Sequence, residues 1–433
     1  MLVYTPKITP RIRYIFQTIF EDVWLANVEL TEDLEVFKQH QGPKINYSLR
    51  KIEDELFIER HDLLTQKGIS DQEIQMTEWE GLPVFFQTSS YSDIPFDFFA
   101  ASFYLLSRYE EYLPHIRDHY ERFMAKESLA FQHGFLQKPL INLWMKKIVK
   151  VFQKKYPNFI TNQTPFKFVS TIDVDNAYCY LEKGLARSLG GFMRSFINGD
   201  REAMKERWQV LRKKQKDPYD TFELQLALQE KYDLDVTYFI LLADYGLNDK
   251  NISHHSRAFQ LLIKHLSDHA QVGIHPSFGA NYHEGKLKEE LQRLQNIIKR
   301  AVVDSRQHFL KLAFPNTYRG LIDLGVQNDY TMGYASYPGF RASICHPFYF
   351  YDLELELKTS LKIHPFVVMD ATFKYYLEFS PQQALSLTQE LLEEVKKVNG
   401  TFTLLWHNET FSDLGAWKGW SQLYEQIVKL AKS

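Results

Sequence analysis

The strongest constraint on this chain is an alternation that begins near residue 165 and runs to its end. Seven short apolar runs rich in β-formers, FKFVSTIDVD, VTYFILL, QVGIH, HFLKLAF, YTMGYA, LKIHPFVVMD and TFTLLWHN, are spaced along it. Between them lie AFQLLIKHL, EELQRLQNIIKR, PNTYRGLIDLG and PQQALSLTQELLEEVKKVNG, whose apolar residues recur at helical spacing. Runs that are apolar almost throughout belong to strands buried on both faces, and strands that alternate with helices pair in parallel. The expected fold is α/β, a (β/α) barrel over residues 161–433. In such a fold the side chains that carry chemistry gather at the carboxyl ends of the strands.

Upstream, LVYT, LFIER and LPVFFQ read as short strands, and FDFFAASFYLLSRYEEYL and LINLWMKKIVKVFQKKY as helices. The stretch KKYPNFITNQTPF clusters Pro, Asn and Thr between periodic segments and marks a boundary. A smaller α/β or α+β domain is expected over residues 1–160.

Lys plus Arg (51) nearly balances Asp plus Glu (54), so no global field steers the chain to nucleic acid or an anionic membrane. A polyanionic partner would need a local basic patch. Two cysteines, Cys179 and Cys345, supply neither a disulfide framework nor a Cys-based zinc site, whereas fifteen histidines leave ligands in plenty. The opening MLVYTPKITPRIRYIF has prolines and charges where a signal peptide is apolar, and no later run reaches membrane-spanning length, so a cytoplasmic protein is expected.

Asp173 and Asp175 close the first apolar run, where alternation puts both carboxylates on one side of a strand tip, able to divide the work of metal ligand and general base. His275 ends QVGIH and is followed at once by Pro276. Arg306 and His308 lie two apart, so on a strand they share a face. His407 ends TFTLLWH, where an imidazole could act as a general acid. Each has a plainer reading, as a helix-capping aspartate, a surface charge or a backbone-bonded histidine. Together, at strand ends of one α/β unit, they point to metal-assisted hydrolysis.

With these motifs in this order, residues 165–430 resemble the polysaccharide deacetylase family, of the carbohydrate esterase family 4 type. The resemblance implies a distorted, incomplete (β/α) barrel. Thr171–Asp175 resembles that family's first motif, which implies Asp173 as base and Asp175 as metal ligand. QVGIHPSF resembles the second and implies His275 as ligand, but Gly279 stands where a further histidine is expected. His308 is the preferred substitute and His283 the weaker one. Arg306, with Arg341 as a rival, resembles the arginine that lines the family's substrate groove. Leu404–His407 resembles the last motif and implies His407 as the acid. FDFFAASFYLLSRYEEYL and SRQHFL also resemble a two-domain bacterial subgroup with an N-terminal domain of unknown function.

The implied activity is removal of N-acetyl or O-acetyl groups from a polysaccharide or glycan intermediate, with a divalent metal, zinc foremost, as cofactor. Asp370 would orient an imidazole or arginine. Trp406 would stack on sugar, with Tyr178, Tyr334, Trp417 and Trp420 near the rim. Asp118, His119 and Arg122 could reach the barrel mouth. The alternatives are a catalytically degenerate barrel that binds glycan or protein, and a glycosidase using Asp173 and Asp175 as paired acids.

Overall fold

The computed structural model describes residues 1–162 and 164–433; Gln163, within the boundary stretch, lies outside the described residues. In the first part, β1 (Leu2–Tyr4), β2 (Glu29–Thr31), β3 (Lys44–Ser48) and β4 (Leu56–Glu59) form a parallel sheet in the order β2-β1-β3-β4. β5 (Thr77–Trp79) and β6 (Leu82–Val84) add a hairpin. Parallel pairing resolves the α/β-or-α+β alternative in favour of α/β. The helix Phe98–Leu106 is buried over its whole length, as its nearly all-apolar sequence requires, and Asp97 starts it by accepting from the Phe99 and Ala100 amides.

The second part holds β7 (Lys167–Val174), β8 (Asp235–Ile240), β9 (Gln271–Ile274), β10 (Asp304–Ser305), β11 (Asn328–Asp329), β12 (Phe348–Asp352), β13 (Leu357–Ile363), β14 (Val368–Met369) and β15 (Thr401–His407). They make one nine-stranded sheet in the order β12-β13-β11-β10-β9-β8-β7-β15-β14, parallel except for the β12–β13 hairpin. Among the described residues no pairing joins β14 to β12, so the expected barrel is an open, mixed sheet. Helices return the chain between strands. One of them, Pro381–Lys396, begins with a Ser380–Gln383 capping box and proline in the first turn.

Two expected strands take other forms. HFLKLAF is a tight turn after the two-residue β10, because Phe309 and Leu310 adopt left-handed φ angles of 59° and 55° that a strand cannot contain. YTMGYA continues as irregular chain beyond β11. Glycine in QVGIH has a packing reason: a Cβ on Gly273 would lie 2.7 Å from both the Asp304 carbonyl oxygen and the Phe239 ring.

Buried apolar side chains from Val3 to Ala431 form one contiguous cluster. Tyr14 packs on Tyr351 at 4.8 Å and donates to the Tyr349 carbonyl, and Arg11 is paired with Glu356. The change of texture near residue 160 therefore marks a change of sheet within a shared core.

Candidate metal and catalytic site

Strand register gathers the site. Asp173 on β7 lies opposite His407 on β15. His275, Arg306 and Asp370 are the first residues beyond β9, β10 and β14. All stand at carboxyl ends, and Asp173, His275 and His407 line a cavity of about 350 Å³.

Three imidazoles turn their Nε2 atoms toward Asp175. His275 Nε2 is 3.2 Å from Oδ1; His308 and His407 Nε2 are 3.6 and 4.0 Å from Oδ2. Each far nitrogen is held: His275 Nδ1 by the Arg306 carbonyl, His308 Nδ1 by Asp249 at 2.8 Å, His407 Nδ1 by Asp370 at 2.7 Å. These acceptors have no proton to give, so Nδ1 carries it and Nε2 is left as the ligating or titrating atom.

Asp175, His275 and His308 each offer an atom within 4.8 Å of the others. The donor set fits a divalent cation. Asp175 Oδ1 is buried with no hydrogen-bond donor, and it faces an imidazole nitrogen. Two nitrogens and one oxygen suit zinc with a position left open. The local field also favours positive charge. Against the opposing effect of burial, Asp175 and Asp249 push His308 up to about 9. Asp175 itself is held well below the usual carboxylate range, again against burial, by His308 and His275. A carboxylate held so low is no proton donor near neutrality, so Asp175 acts in its ionised form, as a ligand must.

Asp173 is buried, accepts from Arg306 Nη1 at 2.9 Å through Oδ1, and turns Oδ2 to within 3.7 Å of His275 Nε2. Across the cavity, burial opposes charge on His407, yet Asp370 raises it to about 10. Asp370 is itself fixed by the His407 amide, the Ala371 amide and the Thr410 hydroxyl. Burial lifts the neighbouring Glu409 to about 7 although His407 pulls the other way.

Over residues 1–157 the chain matches a family of unknown function, DUF7033. No curated protein matches it. Solved structures with a similar fold include a Mycobacterium smegmatis protein assigned to the polysaccharide deacetylases, at 14% identity over 63% of this chain and 88% of that one, TM-score 0.41. The polysaccharide deacetylase Bc1974 from Bacillus cereus is 13% identical over 61% and 86%, TM-score 0.29. A Pseudomonas aeruginosa PAO1 protein assigned to the same class is 9% identical over 61% and 84%, TM-score 0.39.

Of the residues singled out in the sequence, the structure brings Asp173, Asp175, His275, His308 and His407 to one cavity, with Asp370 behind His407. His283 is exposed and outside the cluster, so of the two it is His308 that joins Asp175 and His275. Three expected substrate contacts are corrected. Trp406 is fully buried, because strand alternation turns it away from His407 into the layer of Trp420 and Tyr424. Arg306 lies beneath the cavity, its guanidinium committed to Asp173 and the Tyr330 carbonyl over the Phe239 ring. Arg341 is committed to both oxygens of Glu111 and the Gly333 carbonyl.

Other residues complete the site. Tyr120, Tyr375 and Trp417 line the cavity. Arg122 lines the cavity, and with Asp118 and His119 it borders an adjoining hollow of about 260 Å³. Asp249 and Glu409 carry no motif.

Proposed function

We propose that the protein is a metal-dependent hydrolase that removes N-acetyl or O-acetyl groups from a glycan. The observation that carries this reading is a single cavity in which Asp173, tied to Arg306, and His407, tied to Asp370, flank the Asp175–His275–His308 cluster. Those three residues would hold a divalent cation, zinc being the best match to their donors. When bound, such an ion polarises a carbonyl and lowers the pKa of water.

Asp173 is the base. Arg306 fixes one of its oxygens and leaves the other facing the ligand cluster, where an attacking water would lose its proton. His407 is the acid. Its protonated form dominates at neutral pH because Asp370 stabilises it, and Nε2 opens to the cavity to deliver the proton to the departing amine or alkoxide. Tyr120, Tyr375 and Trp417 offer faces for sugar rings. The order of the Thr171–Asp175, His275 and His407 motifs, similar to that of polysaccharide deacetylases, supports an acetylated glycan as the substrate.

The test is elemental analysis of dialysed wild type, Asp175→Ala and His275→Ala, with acetate release from N-acetylated oligosaccharides followed with and without chelator. Near-stoichiometric metal lost in both variants, with chelator-sensitive acetate release, is the expected result. A wild type that takes up no metal even on reconstitution would overturn the reading and leave a glycan- or protein-binding module.

A further inference from the structure

We propose that the helix pair Gly184–Ile197 and Arg201–Leu211 is a docking surface for an anionic lipid bilayer, on which it lies without crossing. An ordinary surface helix turns its apolar stripe to the core. The first of these helices does the reverse: none of its residues is buried. At 100° per residue Leu185, Leu189, Met193, Phe196 and Ile197 fall within an arc of about 120°. Their exposures are 85%, 65%, 59%, 71% and 75%. The opposite, polar face is the one fastened to the protein. Arg187 donates to the carbonyls of Asn251 and Lys250 at 3.0 and 2.8 Å and lies over the Tyr245 ring.

Charge identifies the occupant. Residues 183–216 hold ten Lys or Arg against three Asp or Glu, in a chain whose formal net charge is −3. Arg212, Lys213 and Lys214 are exposed beside Trp208, itself half exposed. An apolar arc flanked by basic residues and an aromatic side chain suits an interface of acidic headgroups over acyl chains. Among the described residues no helix is long and apolar enough to cross a membrane, so the contact is peripheral. Arg187 is anchored on the loop that also carries Asp249, the partner of His308.

The test is co-sedimentation of the full chain with phosphatidylcholine vesicles, with or without about 30 mol% phosphatidylglycerol, at low and at ~0.5 M salt. Binding should need phosphatidylglycerol and weaken in salt. It should fall at least about tenfold in Leu189→Glu/Phe196→Glu, which changes the apolar face alone, and in Lys213→Glu/Lys214→Glu, which changes the charge alone. All these positions are solvent-facing, and metal content should be unchanged. No binding by wild type, or equal binding by the variants, would overturn the proposal. So would sedimentation equilibrium showing a wild-type dimer that the Leu189→Glu/Phe196→Glu variant dissociates, since the stripe would then join two copies. Vesicle binding by a protein without metal would overturn only the hydrolase reading, and metal uptake without vesicle binding only this one.

Discussion

Arg122 donates from Nη1 to the carbonyl oxygen of Phe309 across 2.9 Å, and Tyr120 packs against the Phe309 ring at 4.6 Å. Phe309 and Leu310 both hold left-handed backbone, a conformation that costs non-glycine residues of order 1–3 kcal/mol each and persists only when neighbours enforce it. His308 immediately precedes them. The turn that follows His308 is thus braced by a segment nearly two hundred residues upstream, while Asp249 holds the imidazole itself. Arg122→Ala should relax the turn and weaken metal binding about 10–100-fold while Asp175 and His275 stay in place. Competition titration against a chelator measures this, and an unchanged affinity would show that the turn holds itself.

Metal uptake should also depend steeply on pH. His308 sits near 9 because Asp175 and Asp249 outweigh the effect of burial, so below that pH a cation must displace a proton to bind. Apparent affinity should rise about tenfold per pH unit up to roughly pH 9 and then level. Asp249→Asn removes one of the two carboxylates that favour the proton, so the plateau should begin at lower pH. A flat profile between pH 6 and pH 9 would mean that His308 is not a ligand.

The acid role of His407 has a sign that can be measured. Its protonated form is stabilised in the fold, so activity that depends on that form should persist through neutrality and fall only as pH approaches about 10. Asp370→Asn should bring this alkaline limb down toward the ordinary imidazole range with metal content unchanged. His407→Ala should lower kcat about 10²–10⁴-fold across the range. The contribution to stability has the same sign: full below the unfolded imidazole value and gone above about 10. An alkaline limb that Asp370→Asn leaves in place would assign the acid to a group other than His407.

How much of this site can be read from the chain follows from how each residue is held. Asp173, Asp175, His275 and His407 end apolar runs, so the strand period alone places them at one edge of the sheet. His308 is also near a strand end, but it reaches the site on a turn whose left-handed backbone leaves no mark in HFLKLAF. Arg306 is expected in the groove only because it resembles the family's groove-lining arginine, whereas Asp173 draws it under the cavity. Trp406 beside His407 reads as a stacking ring, yet neighbours on a strand face opposite ways. Asp249 meets His308 from 59 positions away, a pairing set by the β8–β9 crossing and by no local pattern. The parallel pairing was legible in the alternation, and the open sheet among the described residues agrees with the incomplete barrel that the resemblance implies, although the strand runs themselves do not mark where the sheet stops.

The buried charges that bind the two sheets together offer a test of stability. Glu111 accepts from Arg341 on both oxygens and from Arg108, and none of the three is exposed. Glu111→Ala would leave two guanidinium groups in the core, one partnered by Glu110 and the other without a carboxylate. A loss of about 3–5 kcal/mol in urea unfolding is expected. Because the core is continuous, one cooperative transition should move as a whole, and separate transitions for the two sheets would contradict the shared core.

The fastening of Phe309 changes what a motif can certify. A descendant of this chain could keep Asp173, Asp175, His275 and His308 letter for letter, lose Arg122 alone, and have its ligand turn fall slack. Judged by the proposed site residues alone it would be counted with its parent, while the deciding change sat in the stretch that matches a family of unknown function. If Arg122→Ala weakens metal binding as expected, a census of the proposed ligands would sample only one of the two parts on which that binding depends.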